Sequence, residues 1–464
     1  MRFEDVAAPS IVWFRQDLRL TDQAALVAAA EAGPVVAVYV LDDVSPGEDR
    51  IGGAQRWWLH HSLRALGAAL EAKGGSLVLR RGESVTEVER LAREVEADAV
   101  HAIRHYEPWW QEAEARLGER VKLMLHDGNR LARPETLLTG GGTRYRVFTP
   151  WWRALQERMP PPKPRPALER LSGLDAASDS IDEWELLPTE PNWATGFDIW
   201  TPGEAGGLVA LETFLPKIAD YHEGRNLPSI SGSSRLSAHL HFGEVSPATV
   251  WHRATAKHAE PFLREIGWRD FATNIIDQFP DYARTPAKLA YAKMAFRTGK
   301  DADSDFAAWT KGRTGYPIVD AGMRQLWAIG WMHNRVRMIA ASFLVKHLLI
   351  DWRRGERWFW DTLVDADYAS NAANWQWVAG TGIDAPLFSR IMAPLTQSEK
   401  FGAADYIRKW VPELAALADG DIHDPEHRPS GYPDKLIGHR EGRERALAAM
   451  RSLRGIAGET SNGH

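Results

Sequence analysis

Four stretches of this sequence carry residue types at spacings that chemistry could use. On a helix, Glu265, Trp268 and Arg269 fall at i, i+3 and i+4 and share one face. A carboxyl beside an aromatic ring is a candidate acid with a shifted pKa, although a plain ion pair with Arg269 is the commoner arrangement. Asn334, Arg337 and Met338 repeat the same spacing, while Arg335 points elsewhere. An amide, a guanidinium and a thioether on one face suit either a binding surface or a polar contact between domains.

The third stretch, Gly232-Ser-Ser-Arg-Leu-Ser237, stands just before a helical pattern. Backbone N–H groups, hydroxyls and an arginine at a helix start make an anion site, and the same residues also make an ordinary loop with an N-cap. The fourth runs from Leu363 to Trp377. It holds Asp365 and Asp367, then Asn371, Trp375 and Trp377. No glycine follows the two acids in EF-hand register and no further ligand is spaced for a cage, so hydrogen bonding to a ligand is the better reading and no metal is expected.

The elements that must position these residues fall into two kinds. The first third alternates strand and helix. Ile11–Arg15, Val35–Leu41, Leu77–Arg80, Ala99–His105 and Val121–His126 read as buried strands. Helices are expected from Thr21-Asp22, as N-cap, to Ala32, and over Ala54–Lys73, Ser84–Glu96 and Trp110–Arg120. Strands joined by helices imply a five-stranded parallel, doubly wound sheet covered on both faces. Residues 158–206 are rich in Pro, Gly and acids and read as a long connection between domains. From about 206 the pattern is helical, with examples at Gly207–Ala219, Pro261–Gln278, Asp320–Ala328 and His333–Leu349. The expected division is an α/β domain over 9–135, a linker over 136–205, an all-α domain over 206–457 and a flexible tail over 458–464.

Composition narrows the chemistry. The 464 residues are 44% hydrophobic and include no cysteine, which removes disulfides, thiolate nucleophiles and iron–sulfur clusters. No apolar run is long enough to span a membrane and Met1–Ser10 has no leader-like apolar core, so a cytoplasmic protein is expected. The formal net charge of −6 argues against a non-specific nucleic-acid binder unless basic groups are gathered locally. Tryptophan is the outlier at 21 residues, for core packing, base stacking or electron transfer.

In combination these motifs resemble the photolyase/cryptochrome family. Trp13-Phe-Arg-Gln-Asp-Leu-Arg-Leu20 is similar to its opening strand and Ser233–Ser237 to its FAD-phosphate loop. Gly315–Arg324, Trp331–Arg337 and Trp375–Trp377 follow in the family's order. The resemblance covers nearly the whole chain outside the linker and tail, and is greatest to the class I cyclobutane pyrimidine dimer members. It implies light-dependent repair of these dimers in DNA by electron transfer from excited reduced FAD. A cryptochrome-like blue-light photoreceptor without repair activity is the alternative. A dark nucleotide-binding flavoprotein is disfavoured because no Gly-x-Gly-x-x-Gly follows the first strand. A non-catalytic DNA binder is disfavoured by the charge.

The resemblance assigns roles by motif position. Tyr221, Ser233, Ser234, Arg235, Leu236, Ser237 and Phe262 belong to the FAD site, with Arg337 pairing an aspartate there. Asp365 and Asp367 flank flavin and ribose, and Asn371 faces flavin N5. Glu265 and Asn334 hydrogen-bond the flipped bases and Met338 packs on the dimer. Trp268 and Trp377 stack against the lesion. Arg225, Arg335, Arg390 and Lys400, with Gln397 nearby, meet DNA phosphates. Trp375 and Trp352 match the inner two members of a photoreduction chain, and Phe296 stands where relatives usually carry the outermost Trp. An antenna chromophore is left open between folate, deazaflavin and none, because Trp110 occupies the position of a folate-binding carboxylate. The expected partner is damaged DNA, met by a monomer.

Overall fold

The computed structural model describes residues 7–254, 258–388 and 390–461. Its sheet has strands β1 (Ser10–Phe14), β2 (Val35–Leu41), β3 (Leu77–Arg81), β4 (Ala99–Ile103) and β5 (Leu123–His126), all parallel, in the order β3-β2-β1-β4-β5. Central β1 is buried along its whole length. Successive side chains on a strand point to opposite faces, so β1 feeds two cores. Val12 and Phe14 pack with Leu26, Leu63 and Leu70 on one side. Ile11 and Trp13 pack with Val88, Leu91 and Leu117 on the other. This is why the strands read as continuous apolar runs.

The first helix departs from expectation at its start. It begins at Ala24, with the Gln23 side chain accepting from the Ala25 amide at 3.3 Å. Asp22 cannot serve as N-cap because its carboxylate is taken by the Ser246 hydroxyl and the Arg165 amide.

The connection contains more structure than its composition suggested. Phe148–Gln156 is an α-helix whose Phe148, Trp151, Trp152 and Leu155 are buried in the core of the helical domain. Further on, Ser172 and Leu174 exchange backbone hydrogen bonds with Val35 at 2.8 and 3.0 Å, fastening the segment to the start of β2.

Helices fill the rest of the chain. The last, His439–Ser461, continues through the first part of the expected tail, and 462–464 lie outside the described residues. The domains share a core: Trp57 and Trp58 of the Gly53–Glu71 helix pack with Phe197, Phe242 and Val364. Among the described residues no helix is long and apolar enough to cross a membrane, and no group of acids and histidines could hold a metal ion.

Candidate active site

Four helices of the second domain, Glu260–Gln278, Asn334–Ser342, Trp352–Thr362 and Tyr368–Ala379, surround a cavity of about 390 Å³. That lies within the range of small-molecule sites, roughly 300–1,000 Å³. Local signals set each wall. Gly330 ends the preceding helix in the left-handed conformation at φ 66°. His333 then caps the next by accepting from the Arg335 amide at 3.2 Å, placing Asn334 in its first turn. Gly355 lets two walls approach, since a Cβ there would lie 2.2 Å from the Trp375 ring.

Glu265, Asn334 and Met338 open into this cavity together with Asp365, Asp367, Asn371 and Trp375. Asp367 caps the Tyr368–Ala379 helix, accepting from the Ser370 amide at 2.7 Å. Burial alone would raise its pKa. The His241 ring, with Nδ1 4.0 Å away, and the Arg130 and Arg269 charges outweigh that and hold the carboxyl far below the usual range. Arg337 Nη2 donates to Asp365 Oδ2 at 2.9 Å, and Asp365 Oδ1 is buried without a protein partner. Asn371 gives its amide nitrogen to the Glu356 carboxyl at 2.7 Å and to the Glu356 carbonyl at 3.1 Å. Both are acceptors, so Asn371 Oδ1 is turned the other way.

Glu265 does not pair with Arg269. It is bonded to Arg225, 40 residues away. Arg269 instead donates to the carbonyls of Asn129 and Leu240 at 2.7 and 3.0 Å, tying the cavity floor to the segment after β5. Trp268 is stacked on Phe148 with ring centroids 3.5 Å apart and 7° between planes, leaving its remaining surface to the cavity.

The 233–237 loop does not line this cavity. The helix after it is only Ser237–His241, and Arg235 has a left-handed backbone at φ 55°. The Arg235 guanidinium lies 5.2 Å from the Trp331 ring, whose centroid is 5.9 Å from Arg337 as well. Among the described residues Arg235 has no carboxylate partner, which suits an anionic ligand group. Tyr221 and Phe262 form a T-shaped pair at 5.4 Å behind Arg225, outside the cavity.

Cations gather at the cavity mouth. Arg335 reaches Asn226 and lies 4.7 Å from the Phe401 ring; Lys400 is 5.5 Å from the same ring. Arg390 stands 5.7 Å from Trp377, and Gln397 is on the short Pro394–Lys400 helix. The Trp375 ring packs on Phe359 at 5.0 Å and on Trp309 at 6.4 Å. Trp352 is fully buried and makes no such ring pair among the described residues. In the α/β domain, Trp110 packs edge-on against Trp13 at 5.9 Å, and Arg15, paired with Glu114 at 2.8 Å, fills the space between them.

Sequence reasoning missed Glu356, Arg269's anchoring role and Trp309. Glu356 stands at i+4 from Trp352, which was signal enough to place both on one helix face.

The sequence profile of the FAD binding domain of DNA photolyase matches residues 262–452, and that of DNA photolyase matches 10–167. The chain is 46% identical over 477 residues to a deoxyribodipyrimidine photo-lyase of Agrobacterium fabrum, covering 96% of this chain and 98% of the relative. It superimposes with a TM-score of 0.93 and 45% identity on a bacterial class III photolyase from Agrobacterium tumefaciens, covering 98% and 99% of the two chains. An archaeal photolyase from Sulfolobus tokodaii with two FAD molecules follows at a TM-score of 0.83 and 30% identity, covering 96% of this chain and all of the other. The expected class I label finds no support in these likenesses.

Proposed function

The chain belongs to the DNA photolyase family, and from that premise we propose that it is a deoxyribodipyrimidine photo-lyase acting on cyclobutane pyrimidine dimers in DNA. The photoreceptor alternative is not favoured, because a relative 46% identical over nearly the full length of both chains is a photo-lyase, whereas a Synechocystis cryptochrome matched over a similar length is 26% identical.

The observation that carries the proposal is the shared cavity. Groups suited to a pyrimidine pair (Glu265, Asn334, Met338) and groups suited to a flavin (Asp365, Asn371) open into one space. The fit to FAD rests on Asp365 Oδ1, an orphaned buried acceptor, and on Arg235, a cation without a carboxylate. FAD bound there supplies, when reduced and illuminated, the electron that opens the cyclobutane ring and is afterwards recovered. The residues do the rest. Arg235 binds phosphate, and Arg337 holds Asp365 in place to accept a hydrogen bond from the isoalloxazine. Trp375 and Trp352 carry electrons during photoreduction.

Photolyases are among the enzymes that take their target out of the base stack. The flipped dimer meets Asn334 and Glu265 along its polar edge, Met338 on one face and the Trp268 and Trp377 rings at its flanks. Arg225, Arg335, Arg390 and Lys400 at the mouth bind backbone phosphates, which reconciles DNA binding with a net charge of −6. The protein works as a monomer. A second, light-harvesting chromophore is consistent with the two FAD molecules of the Sulfolobus tokodaii relative. The test is flavin content of the purified protein, followed by light-dependent repair of a dimer-containing oligonucleotide whose rate falls with rising salt.

A further inference from the structure

Glu356 is a carboxyl that the interior leaves without a cation. It is 8% exposed and forms no ion pair among the described residues. The two arginines near it are engaged elsewhere. Arg284 pairs with Asp49 at 2.6 Å, and Arg357 approaches the same Asp49 at 3.6 Å. The side-chain hydrogen bond that Glu356 does make comes from Asn371, a residue of the cavity wall.

We propose that Glu356 is a positioning residue and proton acceptor of this site: it holds the Asn371 amide with Oδ1 toward the cavity, and it takes up a proton from solvent when the bound flavin is reduced. The proposal rests on the flavin reading given above. Asn371 Nδ2 is shared between the carbonyl and the carboxyl of one residue, so the amide cannot turn over without leaving a donor unpaired. The amide then offers the cavity an acceptor, which suits a protonated flavin N5 and not a bare one.

The second half follows from charge. Burial, with the Asp49 charge added, pushes the Glu356 carboxyl up to about 7, against the opposing effects of Arg357, the Asn371 hydrogen bond and Arg284. From the neighbouring Tyr368–Ala379 helix, Asn371 and the Tyr368 phenol complete the polar groups close to it. At neutral pH the carboxyl is therefore poised between its two forms. Negative charge arriving in the cavity disfavours the ionised form and draws a proton onto it. The balance is explicit: an electrode supplies an electron pair to the flavin, one proton goes to N5, and a further proton goes from solvent to the Glu356 carboxylate.

The experiment is a mediated redox titration of the FAD-loaded protein at a series of pH values across neutrality, for wild type, Glu356→Gln and Asp49→Asn. In wild type the midpoint potential should fall more steeply with pH in a window just above pH 7 than it does in Glu356→Gln, because reduction there binds one more proton. Asp49→Asn releases Arg284 and Arg357 toward Glu356 and should move that steeper window to lower pH. Superimposable pH profiles for wild type and Glu356→Gln, with FAD bound and repair intact, would overturn the inference and leave the site reading standing. If Glu356→Gln does not fold, an unmoved window in Asp49→Asn overturns it instead. A wild-type protein that refuses FAD overturns both.

Discussion

Arg337 and Asp365 form a 2.9 Å ion pair in which only one carboxylate oxygen is used, while the other lies buried and unpartnered at the cavity. Evolution of a stable core alone gives no reason for that arrangement, since an unmet buried acceptor costs about 1–3 kcal/mol. A ligand donor aimed at Asp365 Oδ1 explains it. Asp365→Asn should therefore weaken FAD binding by at least about tenfold, the weight of one charge-assisted hydrogen bond. Fluorescence titration of the apoprotein with FAD checks this, and unchanged affinity would remove Asp365 from the flavin site.

The lesion-facing residues should separate from the flavin-facing ones. Glu265→Gln weakens the contact with Arg225, and Asn334→Ala removes an amide from the first turn of its helix. Asn334→Ala should lower the repair rate by about a hundredfold, the usual cost of one donor aimed at developing charge, and Glu265→Gln should lower it as well, by loosening the ion pair with Arg225 that fixes this wall. Flavin content should stay at the wild-type level. Repair rates unchanged in both variants would contradict the assigned pocket.

Photoreduction should be separable from repair. Trp352→Phe should block light-driven reduction of oxidised flavin, yet spare repair by protein reduced beforehand with chemical reductant. Trp375 makes ring pairs with Phe359 and Trp309, so Trp309→Phe is the informative companion. If photoreduction survives in Trp352→Phe and fails in Trp309→Phe, electrons reach Trp375 through the second ring.

Acid should weaken the packing around the buried Glu107 carboxylate. Burial alone would raise the Glu107 pKa, but the His105 ring, with Nδ1 3.7 Å away, and the Arg130 charge bring it from 4.5 down to about 2. A depressed carboxylate contributes stability that is present above its ordinary pKa and is lost as pH falls from about 4.5 toward 2. The loss should reach up to about 3 kcal/mol, the linkage value of such a shift. Chemical denaturation of Glu107→Gln as a function of pH should show a shallower acid limb than wild type. Parallel curves would show that Glu107 is not what acid attacks.

Much of this was legible because the informative signals are local. The apolar runs of β1 to β4 announce a buried parallel sheet, and helical spacing places Asn334, Arg337 and Met338 on one face. What failed was pairing over distance. Glu265 looked like a partner for Arg269, four residues away, yet it bonds to Arg225 because Arg269 is drawn to two backbone carbonyls, that of Asn129 across the domain boundary and that of Leu240. The helix Phe148–Gln156 was missed because it lies in the stretch 136–205 read as linker. Its Pro150 is tolerated in a first turn, and the Trp151, Trp152 and Leu155 spacing is the signal that marks it. Spacing could place Glu356 on the face of Trp352, but not its lack of a cation, which depends on Asp49, some 300 residues earlier, holding both nearby arginines.

The most direct measurement is one preparation followed through two steps. The purified protein is scanned for a flavin absorbance spectrum, then reduced and mixed with an oligonucleotide carrying a single thymine dimer, in the dark and under blue light. A bound flavin and dimer loss only in the light are expected. A colourless protein that does not take up FAD, or a flavoprotein that leaves the dimer intact under illumination, would contradict the proposed function.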